Sequence, residues 1–273
     1  MTDQVLNREP LIRLGIFLGV FALMALWEWL AAKRARPVSR LRRWPNNIGI
    51  AFLDTVVTRI VAPTGAFGFA IFADARGWGL FHVLVLPTWL KLLVSLLLLD
   101  LAIYLQHRLF HYMPLLWRLH RMHHADLDVD VTTGARFHPV EILLSLGIKF
   151  LVIVIVGPPQ IAVLVFEVGL NASSMFNHSN VRIRASVERW LRWLVVTPDM
   201  HRVHHSILRN ETDSNFGFNF PWWDRLFKTY RAQPQAGHEG MTLGIEQFRD
   251  PKELQLHRML LQPLRKELRR GAG

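Results

Sequence analysis

The sequence predicts an all-α fold: a polytopic integral membrane helical bundle with a cytoplasmic helical cap carrying a histidine-rich dimetal site. Three observations predict it. Apolar runs long enough to span a bilayer recur along the chain, and basic residues collect between them. The string H-R-x-H-H occurs twice, at His120–His124 and His201–His205, about eighty residues apart.

Composition narrows the class. Of 273 residues 51% are hydrophobic, yet the formal charge is +11. Oil and positive charge are therefore segregated along the chain, which favours a membrane protein with basic loops over a nucleic-acid binder. There is no cysteine. This removes disulfides, thiolate metal sites and cysteine-held iron–sulfur clusters, so any metal must sit on nitrogen or oxygen. The opening MTDQVLNREPLIRLG has no basic stretch directly before its apolar run and no small-residue cleavage site. The first apolar run is accordingly read as retained.

Leu11–Ala32 is the first expected span. Ile48–Phe72 is the second, interrupted by Asp54, Arg59 and Pro63, and Val83–Gln106 the third. Val140–Val156 and Ile161–Phe176, joined by GPPQ, form a hairpin that either crosses or dips and returns. The segment KRARPVSRLRRW holds Lys33, Arg34, Arg36, Arg40, Arg42 and Arg43, so the positive-inside rule puts it in the cytoplasm. Counting crossings from there places both histidine strings on the cytoplasmic side, with His107, His111 and His178 just past the cytoplasmic ends of apolar runs. Three regions follow: N-terminal spans with the basic loop (1–94), the histidine-bearing part (95–232) and a cytoplasmic tail (233–273). Ser186 is expected to cap a short interfacial helix carrying Trp190 and Trp193, with Arg189 and Arg192 beside them. In the tail, Asp250 and Pro251 start an amphipathic helix over DPKELQLHRMLLQ.

His107 and His111 are four apart, which on a helix stacks both imidazoles on one face. His120, His123 and His124 converge from one turn, and His201, His204 and His205 repeat the arrangement. With His178 the set counts nine, too many for one ion; two ions would each receive four or five nitrogens and keep open positions. Ordinary surface or hydrogen-bonded histidines are the reading for His82, His238 and His257. His138 is either a partner behind a ligand or a helix-start residue. Asp126, Asp128 and Asp130 resemble half a calcium loop, but lack its glycine and terminal glutamate, and are read as solvated. Asp100, a costly carboxylate in a membrane helix, is expected to orient a histidine from behind. Asn180 either hydrogen-bonds a ligand or bound oxygen, or caps the helix end.

The ordered set His107-x3-His111, His120-x2-His123-His124, His201-x2-His204-His205 resembles the histidine boxes of the fatty acid hydroxylase/sterol desaturase superfamily. His178 stands where members often carry an extra histidine. Asn215–Tyr230, with Trp223-Asp224-Arg225-Leu226-Phe227, is similar to the family's closing segment; Lys228 replaces a glycine often seen there. The likeness covers roughly 95–232. It implies two Fe ions on the nine histidines (zinc being possible in the purified protein), O2 as co-substrate, and hydroxylation or desaturation of a lipid C–H bond. A lipid drawn from the bilayer and a separate electron-donor protein (ferredoxin, cytochrome b5-like or reductase) would be the partners. Arg118, Arg121 and Arg202 are expected to form a basic surface for an acidic carrier. The N-terminal 90 residues carry little of the likeness and are expected to set neither substrate nor chemistry.

Other classes stay open from sequence. A zinc-dependent hydrolase would use the same cage, although no H-E-x-x-H occurs. A haem cytochrome would place its histidines inside the helices. A non-catalytic metal or lipid binder would keep the boxes without turnover.

Overall fold

The computed structural model describes residues 2–266, so the end of the tail expected over 233–273 lies outside them. Among the described residues every regular element is helical, and isolated bridges pair only Ala32 with Val181 and Ser206 with Leu243. The first eight helices are α1 (Thr2–Leu30), α2 (Arg40–Val61), α3 (Gly65–Ala75), the single turn α4 (Leu80–Val83), α5 (Thr88–Tyr112), α6 (Pro114–His124), α7 (Pro139–Val156) and α8 (Gln160–Asn177). Short helices follow: α9 (Ala185–Leu191), α10 (Pro198–His204), α11 (Arg209–Thr212), α12 (Trp222–Leu226), α13 (Gly237–Gly240) and α14 (Leu256–Leu261).

Among the described residues four stretches are long and apolar enough to cross a membrane: Arg8–Leu30, Arg40–Val83, Thr88–Tyr112 and Pro139–Val156. The protein has the architecture of a multi-pass membrane protein. The second expected span is not one continuous helix. Pro63, which has no N–H to give, sits in a turn between α2 and α3. The basic run also differs from expectation. Ser39 caps α2 by accepting the Leu41 N–H, so Arg40, Arg42 and Arg43 are helical rather than loop residues. The apolar α8 does not stand among the four stretches, and it buries Glu167, which bonds Lys149 of α7 and Arg13 of α1.

Helix ends follow local chemistry. Pro114 occupies the first turn of α6 and Pro139 that of α7. His138 is a helix-start residue, its side chain accepting the Val140 N–H, which decides between its two readings. Gly157 closes α7 at φ 64°, the left-handed conformation that glycine adopts without strain. Leu99 and Ile103 of α5, Leu146 and Ile153 of α7, and Val163 and Phe166 of α8 share one buried core, to which α3 contributes Ala66, Ala70 and Ala73.

Two further expectations need correction. Arg184, not Ser186, occupies the N-cap of α9, and the helix ends at Leu191, so it carries Trp190 but not Trp193, though both are exposed. The tail helix is split. Asp250 accepts the Lys252 N–H and starts only a 3-10 turn, Pro251–Leu254, before α14 begins. Met259 of α14 packs on Ile50 and Met122, so this segment is part of the core.

Candidate metal centre

Nine histidines from four elements meet at one end of the bundle. The last turns of α5 bring His107 and His111, and α6 brings His120, His123 and His124. His178 caps the C-terminus of α8. Thr197 caps α10, which carries His201 and His204 and ends on His205. All nine are buried. They fall into two groups: His107, His111, His120, His124 and His204 in one, and His123, His178, His201 and His205 in the other. Within each group the candidate ligand atoms lie within 4.8 Å of one another. The neighbours His123 and His124 go to different groups, as do His204 and His205, which ties the two together.

Hydrogen bonds at the outer nitrogens settle which atom faces inward. A carbonyl oxygen can only accept, so Nδ1 carries the proton on His107 (to Phe216 O, 2.7 Å), His123 (to Arg136 O, 3.0 Å), His178 (to Ser174 O, 2.7 Å) and His204 (to Ser214 O, 2.7 Å). Glu141 accepts from His120 Nδ1 at 2.6 Å, and Asp213 from His111 Nδ1 at 3.2 Å. The six Nε2 atoms of these rings are therefore bare lone pairs. Yet His107 and His120 bring theirs to 3.1 Å, and His123 and His178 do the same. Lone pairs at that distance repel unless a cation sits among them. His204 Nε2 and both ring nitrogens of His205 are buried with no hydrogen-bond partner. Groups aimed this way fit two ions on imidazole nitrogen, backed by carboxylate and carbonyl partners.

Electrostatics favours the neutral form of six of the rings. Burial, reinforced by neighbouring imidazoles, pushes His123, His124, His201 and His205 well below the usual histidine range. Burial likewise lowers His178 to about 4 and His204 to about 3. Neutral imidazole is the ligating form, and it suits iron, zinc, copper or nickel.

Several expected roles move. Asp100 orients no histidine: it accepts from Asn219 Nδ2 and Trp223 Nε1, both at 2.8 Å. It thereby anchors the closing segment, whose Phe216 carbonyl holds His107. Asn180 neither reaches the cage nor caps α8. Its side chain pairs with the backbone of Arg34, accepting from N and donating to O, both at 3.0 Å. Asp126, Asp128 and Asp130 are buried, not solvated. Arg43, itself fully buried, takes Asp126 with two bonds (2.8 and 2.7 Å) and Asp130 with one (2.6 Å). Burial pushes Asp126 up, but Arg43 and Arg136 outweigh it and hold the carboxyl down at about 2. Asp128 goes the other way, to about 7, because burial dominates and Asp126 and Asp130 lie beside it. Of the three residues expected to form a basic surface, only Arg118 is not buried. Arg121 and Arg202 are buried, and Arg118 donates to the Pro263 carbonyl.

Sequence reading missed Glu141, Asp213, Arg136 and Arg43. Glu141 had a usable signal, a first-turn glutamate in the HPVE start of α7; the others had none nearby.

A sequence model described as fatty acid hydroxylase matches residues 92–229. An ornithine lipid hydroxylase (OlsE) of Rhizobium tropici is 27% identical over 225 residues, 81% of this chain and 67% of that protein. Human alkylglycerol monooxygenase is 28% identical over 163 residues, 59% of this chain but only 35% of its own length. A Delta(7)-sterol 5(6)-desaturase (ERG3B) of Gibberella zeae is 26% identical over 162 residues, 58% of this chain and 45% of its own. The chain thus spans less than half of the latter two relatives. No solved structure matches. The family match covers half of the chain and contains all nine histidines, and the chain belongs to the fatty acid hydroxylase family, within the fatty acid hydroxylase/sterol desaturase superfamily.

Proposed function

We propose that the protein is a membrane-bound non-haem di-iron oxygenase that hydroxylates or desaturates a lipid C–H bond, using O2 and electrons from a separate donor protein. The observation that carries this reading is the pair of imidazole groups, five and four, in which the six rings with a fixed tautomer turn their lone pairs inward, four in one group and two in the other. Bound there, two iron ions would supply the reductive use of O2 against an unactivated C–H bond. His107, His111, His120, His124 and His204 would hold one, and His123, His178, His201 and His205 the other. Glu141, Asp213 and the carbonyls of Arg136, Ser174, Ser214 and Phe216 orient the rings and keep each Nε2 free of a proton.

The active site is assigned to the cytoplasmic side. Arg43 of the basic run meets Asp126, two residues past the second box, so basic run and boxes share one end of the bundle. The positive-inside rule puts that end in the cytosol. Apolar spans leading to the cage suit a substrate taken from the bilayer. The names of the relatives supply the first lipids to test: an ornithine lipid, an alkylglycerol and a sterol.

Iron-loaded protein in lipid nanodiscs, given a chemical reductant and each lipid in turn, is expected to consume O2 only when the matching lipid is present. The product should carry one more oxygen or two fewer hydrogens by mass spectrometry. Hydrolysis of a lipid without O2 uptake would overturn the reading.

A further inference from the structure

Resting on the reading of the cage as a two-metal site, we infer that Arg43 and Asn47 of α2 are positioning residues for the four-histidine group alone. They act through the loop 126–136. Both lie outside the family match, in the part of the chain expected to have no bearing on the chemistry.

Arg43 and Asn47 are one helical turn apart and fully buried. Besides its bonds to Asp126 and Asp130, Arg43 donates to the Asp128 carbonyl at 2.8 Å and to Thr133 Oγ1 at 3.0 Å. Asn47 Nδ2 donates to Thr132 Oγ1 at 3.0 Å, and its Oδ1 accepts from Arg136 Nη1 at 2.9 Å. One face of α2 thus grips the loop at both ends and in the middle.

The loop in turn sets two rings. Arg136 offers its carbonyl to His123 Nδ1 and its Nε to the Met122 carbonyl. Gly134 lies so close to α8 that a Cβ there would stand 2.5 Å from the Ser174 oxygen. The Gly134 carbonyl accepts from Ser174 Oγ at 2.7 Å, and the Ser174 carbonyl accepts from His178 Nδ1. His123 and His178 are the two rings of the four-histidine group whose Nδ1 is tied, and both are tied through this loop. The tied rings of the five-histidine group take their partners elsewhere, from Phe216, Asp213, Glu141 and Ser214. Loosening α2 from the loop should therefore disturb one group and spare the other.

The test is a titration of metal-stripped, detergent-purified full chain with cobalt(II) alone, followed by visible absorption. The parent is expected to fill in two steps, assigned by which step His205→Ala and His204→Ala each remove. Arg43→Lys keeps the charge but loses the two-bond grip on Asp126; Asn47→Ala keeps every charge. Each is expected to weaken the four-histidine step by about 10- to 100-fold and to leave the other within about twofold. Both steps unchanged, or both lost while circular dichroism and elution match the parent, would overturn the inference. If Arg43→Lys aggregates, Asn47→Ala decides alone. A parent that takes up no cobalt overturns the two-metal reading itself, and this inference with it. A parent with two steps and variants that match it overturns this inference only.

Discussion

The Nε2 atoms of His123 and His178 face each other at 3.1 Å, and neither can donate to the other, because each ring spends its proton on a backbone carbonyl at Nδ1. The pair makes chemical sense around a cation. His178→Ala removes one nitrogen from the four-histidine group and none from the other. The variant is expected to purify with one metal per chain where the parent holds two, read by elemental analysis. A variant that keeps the parent's content would show that His178 is no ligand.

Two aspartates of the 126–136 loop, Asp126 and Asp128, should respond differently to neutralisation. Asp126 is ionised and gripped by Arg43, so Asp126→Asn leaves the buried Arg43 and Arg136 guanidiniums short of one carboxylate, with Asp130 still on Arg43. A loss of about 3–5 kcal/mol is expected, enough to lower the thermal midpoint in detergent sharply. Asp128 sits near 7, and one of its oxygens has no partner. Asp128→Asn, which can still accept from the Val129 N–H as Asp128 does, should leave the midpoint near the parent's. Equal damage from both would contradict the assignment of charge.

Lys228 lies in the left-handed region at φ 59°, in the closing segment where the family often has glycine. A lysine Cβ is strained there and glycine is not. Lys228→Gly is therefore expected to stabilise the protein by about 0.5–1 kcal/mol, net of the extra freedom glycine gives the unfolded chain. A lower midpoint would mean that the lysine side chain has a role of its own.

Acid should undo the metal-free fold. In the unfolded chain these histidines titrate near 6.5, whereas burial holds His178 at about 4 and His204 at about 3 in the fold. The unfolded state thus binds more protons as pH falls through 6.5, and stability drops until the folded values are reached. Each such ring contributes up to about 1.4 kcal/mol per pH unit. Asp128, raised to about 7, works in the opposite direction over about pH 4 to 7, but a single carboxyl is outnumbered by the buried rings, so the midpoint of the stripped protein should fall overall between about pH 6.5 and 4. A flat profile across that window would show that the rings already carry protons in the fold.

The boxes and most of the spans were legible in the sequence because their signals are local: spacing of three or four for the histidines, long apolar runs for the helices. What stayed hidden depends on partners far apart in the chain. Asp126 looked solvated because its counter-ion, Arg43, lies 83 residues earlier, inside a run that reads equally well as a topology signal. Asp100 was expected to orient a histidine, but its donors are Asn219 and Trp223, 119 and 123 residues on. Arg121 and Arg202 read as surface charge, yet Arg121 is spent on the Gln262 and Arg265 carbonyls and Arg202 on Asp199. A basic residue interleaved with ligands gives no sign from spacing alone of which way it turns.

Metal content per chain, measured on protein expressed with iron and purified anaerobically in detergent, tests the two-group cage most directly. Two irons per chain are expected, falling to one in His204→Ala and to one in His205→Ala, since these neighbours serve different groups. A single ion in the parent, or none, would contradict the division of the nine histidines into two sites.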